Sequence, residues 1–399
     1  MRLLKKLENA ERPLLGPNVK ALQFWGLLLP KYRLKRYFYL TMHFLVTLFT
    51  FTECVDVYFV KSDMNLLLNN LKITMLATVS VCKVNTFLYW QKRWTDIIAY
   101  VTRADLNQRN TKDEKKLALI KKFTLYCRKI TYLYWFLMYT TVVIVVAQPI
   151  FKYAFSKNYR DNVRMGTETY LQVVSSWVPF DKNTIIGYIA ASIYQTYAAI
   201  YGGGWITSFD TNAMVTMVFF KAELELLRID SGNIFGNIGR PVDKSIVLRR
   251  LKNCHRRHLD LVKYAQLFDA CLSPIMLLYM FVCSVMLCVT AYQITIETNP
   301  MQRFFTTEFL VFGVAQLFIY CWHSNDVLIA SEELMKGPYE STWWSHTEHR
   351  KDLYILISQF KKSIVFSAGP FAKLTVATFI SILKGAYSYY TLLSQSQMK

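Results

Sequence analysis

No Gly-x-Gly-x-x-Gly, no Walker loop and no His-Glu-x-x-His occurs in these 399 residues. The motifs that cradle phosphates or hold a catalytic zinc are therefore missing. No nucleophile–base pair is readable either, so neither an enzyme nor a cofactor is expected. The chain contains no Asn-x-Ser/Thr sequon. Its eight cysteines (Cys54, Cys82, Cys127, Cys254, Cys271, Cys283, Cys288 and Cys321) fall mostly within apolar runs and outline no disulfide framework. No signal peptide is expected, because the basic N-terminus lacks a short apolar core before a cleavage site. The internal repeat with paired broken helices that a transporter would carry is also missing. Charge is scarce as well, at 19% of residues, against about 25% in soluble domains.

What is present is apolar. Hydrophobic residues make up 53% of the chain and aromatics 16%, gathered into runs long enough to cross about 30 Å of hydrocarbon as helices. The fold class expected is an all-α polytopic membrane protein with the lipid bilayer as its solvent. Seven spans are placed at Tyr37–Val60, Leu71–Trp90, Ile130–Phe151, Ile185–Thr207, Ala265–Thr295, Phe304–Cys321 and Phe371–Leu393. The net charge of +20 does not point to nucleic acid, since a soluble basic domain would not carry repeated spans. Residues 1–36, 91–129, 221–263 and 323–363 hold 35 Lys and Arg, against eight in the alternate segments. The positive-inside rule then puts the N-terminus in the cytoplasm and the C-terminus outside. That is the inverse of a G-protein-coupled receptor, and no Asp-Arg-Tyr follows the third span.

The inner segments carry helical periodicity of their own at Ala213–Arg228, Leu248–Ala265 and Leu353–Val365. They are expected to pack into a helical domain below the membrane rather than lie on its surface. Cys254, His255 and His258 have ligand-like spacing, but Arg256 and Arg257 beside them would repel a cation. A solvated basic helix is expected there, and no metal. Gly202–Gly204 is either a close-packing site or a local break in the fourth span.

Ionisable residues inside spans are functional candidates because burying charge in hydrocarbon is costly. Glu53, Asp56, Lys83 and Lys384 are the ones seen. The outer halves of spans two to five are rich in aromatics and methionine and poor in charge, which suits a dry pocket for a small apolar ligand. The candidate lining is Met75, Thr78, Val79, Tyr139, Val143, Val146, Tyr188, Ala191, Tyr194, Leu278, Tyr279 and Val282. Its tyrosines suit a small aromatic or heterocyclic volatile. In the last span, Thr375, Thr378, Ser381, Gly385, Ser388 and Thr391 alternate with apolar residues, as a water-lined helix would. Ile382, Gly385, Ser388 or Tyr389, Leu392 and Ser396 share one face, with Leu392 placed to exclude water as a gate.

The C-terminal third carries specific motifs. They are Ser381–Leu393 (SILKGAYSYYTLL), Ser367–Phe371 (SAGPF), and Tyr320–Asn325 (YCWHSN) followed by Tyr339 and Trp343–Trp344. Trp177–Phe180 (WVPF) stands in the large second outer loop. With seven spans and an inside N-terminus, the chain resembles the insect odorant receptors over essentially its whole length. The related gustatory receptors end in Thr-Tyr…Gln-Phe, which Ser388-Tyr389 and Gln395-Ser396 match only in part.

The resemblance implies a non-selective cation channel, tetrameric and gated by an odorant, in the plasma membrane of an olfactory neuron's dendrite. It implies partnership with an obligate co-receptor subunit. The short inner segment 221–263 makes this chain similar to the odorant-tuned subunit rather than to that co-receptor. It further implies a cytoplasmic segment at 1–36, six spans holding the ligand pocket at 37–330, a cytoplasmic anchor helix at 331–370 and the pore helix at 371–399. The pore and gate positions carried over are Ser388, Leu392, Gln395 and Ser396. The co-receptor pattern has an apolar residue where Ser396 stands.

Overall fold

The computed structural model describes residues 7–61, 64–236, 242–298 and 300–397. The chain is built from long helices. After α1 (Gly16–Phe24) come α2 (Arg33–Phe59), α3 (Met64–Tyr89), α4 (Gln91–Arg109), α5 (Glu114–Phe155) and α6 (Lys157–Arg164). These are followed by α7 (Ile185–Gly232), α8 (Lys244–Ile296), α9 (Pro300–Glu332), α10 (Lys336–Glu340), α11 (Arg350–Phe360) and α12 (Val376–Gln397). Local chemistry sets several boundaries. Asp113 caps α5 by accepting from the backbone N–H groups of Lys115 and Lys116, and Thr184 caps α7 through the Gly187 N–H.

Among the described residues, five helical segments are long and apolar enough to cross a membrane: Arg33–Phe59, Leu66–Tyr89, Glu114–Phe155, Lys244–Ile296 and Gln302–Glu340. They contain the expected third, fifth and sixth spans, and the first and second but for their last residues, Val60 and Trp90. The fourth expected span lies in α7, where glycine, serine, threonine and tyrosine dilute the hydropathy. The seventh lies in α12, where the side chains from Leu392 onward fall outside the described residues. Its helix also starts later than expected. Ser367–Ala368 pairs with Ala372–Lys373 in a two-residue antiparallel hairpin, which turns at Gly369. That glycine has a φ of +63°, and a Cβ there would stand 2.7 Å from the Leu277 side chain, so both the left-handed backbone and the close approach require glycine.

Gly202–Gly204 does not break α7, which runs 48 residues without interruption. The glycines let neighbours approach instead: a Cβ on Gly203 would meet Val142 at 2.6 Å and one on Gly204 the Trp25 ring at 2.2 Å. From Gly203 to Phe220 every residue of α7 is buried, which makes it the central post of the bundle.

α5, α7, α8 and α9 all run past the expected spans at the end of the bundle where α5 starts and α7 stops. There they are tied by charge. Arg257 pairs with Glu223 (3.0 Å) and with Asp230, Lys116 also pairs with Asp230, and Lys221 reaches Asp326 at 2.8 Å. Burial pushes the Glu223 carboxyl up, and Arg257 and Gln108 partly offset this. The stretch 331–370 is not one helix. It divides into 3-10 turns, the short α10, α11 and the hairpin, with the chain turning extended at Ser341 after α10, and α11 stops at Phe360, short of Val365. The segment around Cys254 and His258 is not solvated either. Arg256 is exposed, but Cys254 and His258 are buried; His258 docks α8 against α11, while Cys254 sits beside Asp230 and Asn233 at the end of α7.

Within that contact, Gln359 Nε2 lies 3.1 Å from His258 Nδ1, and the imidazole meets Phe360 edge-on. Burial, with His255 and Lys362 nearby, pushes His258 down to about 4. The neutral ring is thus the folded form. Its contribution is present above the unfolded value of about 6.5 and is lost as pH falls toward 4. At pH 5.5 the fold should be weaker than at pH 7.5 by on the order of 1 kcal/mol from this residue. Melting of the purified protein at both pH values, beside His258→Gln, checks it. An undiminished difference in the variant would assign the titration to other groups.

Candidate functional site

A cavity of about 610 Å³ lies among α2, α3, α5, α7, α9 and the connecting segment 168–175. Its wall is mainly apolar, with Phe49, Ile73, Leu76, Met138, Val142, Val145, Ile206, Phe309 and Phe312. On α7 the first steps of the lining are small, at Ala198, Ala199, Gly202 and Gly203, and Trp205 and Ile206 close it beyond. The small residues leave the space open, whereas bulkier residues at these steps would close it. A mostly apolar wall with a few convergent polar groups is the usual composition of a small-molecule site.

The polar groups include Thr50, Glu53, Asn69, Asn70, Lys72, Gln148, Gln172, Thr306 and Glu308. Most are tied down by neighbours. Thr141 donates to Glu308 at 2.6 Å, Lys72 to Gln293 at 3.1 Å, and Gln293 to Asn69 at 3.2 Å. Next to the cavity, Asp56 accepts from Asn70 (3.1 Å) and Ser175 (2.6 Å) and faces Lys182 at 3.5 Å. Glu53 is only 2% exposed, and its Oε2 has no hydrogen-bond partner among the described residues.

A second polar cluster lies deeper. Lys83 Nζ and Asp210 Oδ1 are 2.7 Å apart, at 2% and 0% exposure. Tyr134 and Tyr320 each donate to Asp210 at 2.6 Å, Gln316 donates to it at 2.5 Å, and Tyr279 donates to Gln316 at 2.9 Å. The ammonium also stands 4.8 Å from the centroid of the Tyr279 ring. Five helices (α3, α5, α7, α8 and α9) thus share one buried ion pair whose oxygens are fully donated to. Lys83 was visible in the sequence as an ionisable residue within a span. Asp210 was not singled out, because it lies three residues beyond Thr207, although a lone carboxylate within the apolar run WITSFDTNAMV was the available signal.

None of the twelve expected lining residues lies on this cavity. Met75, Thr78 and Val79 stand one helical step from Leu76, Ala77 and Ser80, which do. Tyr139 and Val143 turn outward and are exposed, while Met138 and Val142 face in. Val146 and Tyr194 lie behind the wall against Phe49, Val173, Val174 and Ala198. Tyr188 bonds the Leu171 carbonyl, and Ala191 is buried. Leu278, Tyr279 and Val282 sit on α8, which contributes nothing to the lining. On α3 and α5 the difference is one of rotation: helical periodicity identifies an apolar face, but the phase of the cavity wall is set by how neighbouring helices pack.

On α12, Ser381, Lys384 and Ser388 form an exposed polar stripe with Ala377. Ser381 and Ser388 turn their hydroxyls back onto the carbonyls of Ala377 and Lys384. Ile382 and Gly385 are half-buried beside the stripe, and Tyr389 is exposed. The side chains of Leu392, Gln395 and Ser396 lie outside the described residues.

A model of the 7tm odorant receptor family matches residues 63–387. Among curated proteins, Odorant receptor Or2 of Anopheles gambiae is 25% identical over 57% of this chain and 57% of its own length. Odorant receptor 13a of Drosophila melanogaster is 22% identical, over 54% and 55%. The odorant receptor coreceptor of Aedes aegypti is 25% identical over 44% of this chain and 38% of that protein. The chain therefore spans little more than half the length of the curated receptors it matches. The solved structure of the insect olfactory receptor OR5 from Machilis hrabei superposes with a TM-score of 0.81, covering 99% of this chain and 98% of that one at 15% identity. A structure of the same receptor in complex with eugenol gives 0.80. At that identity the likeness is one of fold.

Proposed function

The chain belongs to the 7tm odorant receptor family, and from that membership we propose that it is the odorant-tuned subunit of a ligand-gated, non-selective cation channel. The observation that carries the reading is the cavity of about 610 Å³, apolar with a polar end, held between the helices of a membrane bundle. Its occupant is a small volatile. That OR5 of the same fold has been solved with eugenol agrees with a small organic ligand here. The family is one of receptors rather than enzymes, and the site carries no arrangement that asks for chemistry.

The bundle crosses the plasma membrane seven times with residues 1–36 inside and the C-terminus outside, as the Lys/Arg asymmetry requires. The charged ends of α5, α7, α8 and α9, with α10 and α11, make the cytoplasmic domain through which subunits hold one another. The partner is the co-receptor, in a tetramer whose pore is lined by α12. What supports this is the exposed stripe of Ser381, Lys384 and Ser388, since a helix facing only lipid gains nothing from it. Leu392 is the gate, and Leu392→Ala should raise current in the absence of ligand by several-fold; a wild-type baseline removes it from the gate.

The deciding experiment is voltage clamp of cells expressing this chain with and without an insect co-receptor, during a volatile panel and with G-protein signalling blocked. Fast cation current that needs both subunits and survives the block is the expected result. Surface-expressed protein with no current, or with a slow G-protein-dependent response, would overturn the reading.

A further inference from the structure

We propose that Glu53 is the specificity-determining polar contact of the cavity, and that it selects ligands presenting an O–H or N–H donor on an otherwise apolar body, such as an alcohol, a phenol or a primary amine. This rests on the reading of the cavity as the ligand site.

Two acidic side chains stand one turn apart on α2, in unlike settings. Asp56 has Asn70, Ser175 and Lys182 around it and asks nothing of a ligand. Glu53 lines the cavity, is 98% buried by its 2% exposure, and leaves Oε2 without a donor among the described residues. A buried acceptor left unmatched bears its full desolvation cost, which a donor entering the cavity removes. The other acids of the lining are already engaged: Glu168 pairs with Lys152 at 3.2 Å and Glu308 accepts from Thr141.

Among the described residues the lining carries three Glu and three Lys, so both signs are represented on it. Phe49 and Ile73, on α2 and α3, leave the rest of the space to an apolar body. The inference is therefore of a donor head against α2 and a hydrocarbon or aromatic tail against α5 and α7.

The test uses the full channel and matched probes: a straight-chain primary alcohol, the primary amine of equal length and the corresponding methyl ether, with a phenol and its methyl ether as a second pair. Wild type should respond to donors at concentrations about tenfold below those needed for the ethers, as one well-made hydrogen bond allows. Glu53→Leu should collapse that ratio toward one. Glu53→Gln should keep the preference for the alcohol and lose it for the amine if charge matters, and should treat both alike if only an acceptor is needed. No donor preference in wild type, or a preference that survives Glu53→Leu, overturns the inference. Should neither variant reach the surface, difference infrared spectroscopy of the purified wild-type protein replaces them. A carboxyl band that shifts with alcohol and not with ether supports the contact, and any other pattern overturns it. Absence of current to every volatile would instead count against the channel reading itself.

Discussion

A channel that folds at least as well as the natural protein yet no longer answers its ligand is the expected outcome of Gly202→Leu. Gly202 lines the cavity, and a Cβ built on it meets nothing within 4 Å. A side chain there enters open space, while removing a glycine from a helix interior gains about 1 kcal/mol. The leucine fills part of the volume an odorant needs, so the half-maximal concentration should rise by about a hundredfold or the response should vanish, consistent with about 3 kcal/mol of lost binding. Gly203 and Gly204 form the contrast on the same turn. Alanine at either presses on Val142 or on the Trp25 ring, and overpacking of this kind costs about 1–3 kcal/mol. Thermal melting with ligand-evoked current separates the cases. An unchanged dose–response in a well-folded Gly202→Leu channel would remove the cavity from ligand binding.

Lys83→Met should be the most damaging single change to the fold. It leaves Asp210 as an uncompensated charge at 0% exposure, with Tyr134, Tyr320 and Gln316 still aimed at it. Breaking one side of a buried pair costs about 3–5 kcal/mol, enough to empty the cell surface of a marginally stable protein. The double variant Lys83→Met with Asp210→Asn removes both charges and should recover most of the loss. Surface labelling and melting temperature of the single and double variants provide the measurement. A Lys83→Met protein as stable as wild type would mean that the pair contributes nothing net.

Much of the architecture was legible because it is written in composition and spacing. The apolar runs and the helical inner segments have a one-dimensional signature. The family motifs of the C-terminal third are equally local. What was not legible depends on packing between segments far apart in the chain. Choosing Tyr139 and Val143 over Met138 and Val142 is an error of one position, about 100° of helix rotation, which only the neighbouring helices can fix. Asp210 looked like a residue just beyond a span until α7 proved continuous through it. Cys254 and His258 read as solvated because Arg256 and Arg257 flank them, yet Arg257 itself folds inward to Glu223 and Asp230. The Gly202–Gly204 run permitted a break or a close contact, and the choice rested on Val142 and Trp25, which lie far from it in sequence.

The unbroken course of α7 has a mechanical consequence. The same helix forms the cavity wall at Gly202 and holds Asp230 among Lys116 and Arg257 at its far end. The 28 residues between them span roughly 42 Å of rigid rod. A ligand that tilts such a rod by roughly four degrees displaces its far end by about 3 Å, with no intermediate element left to relax. Its neighbour α8 is as long but carries Pro274 near its middle, a position where a lever can flex. One helix is thus suited to carry displacement and the other to absorb it. Strain that begins around a small molecule would leave the bundle as motion at its charged end.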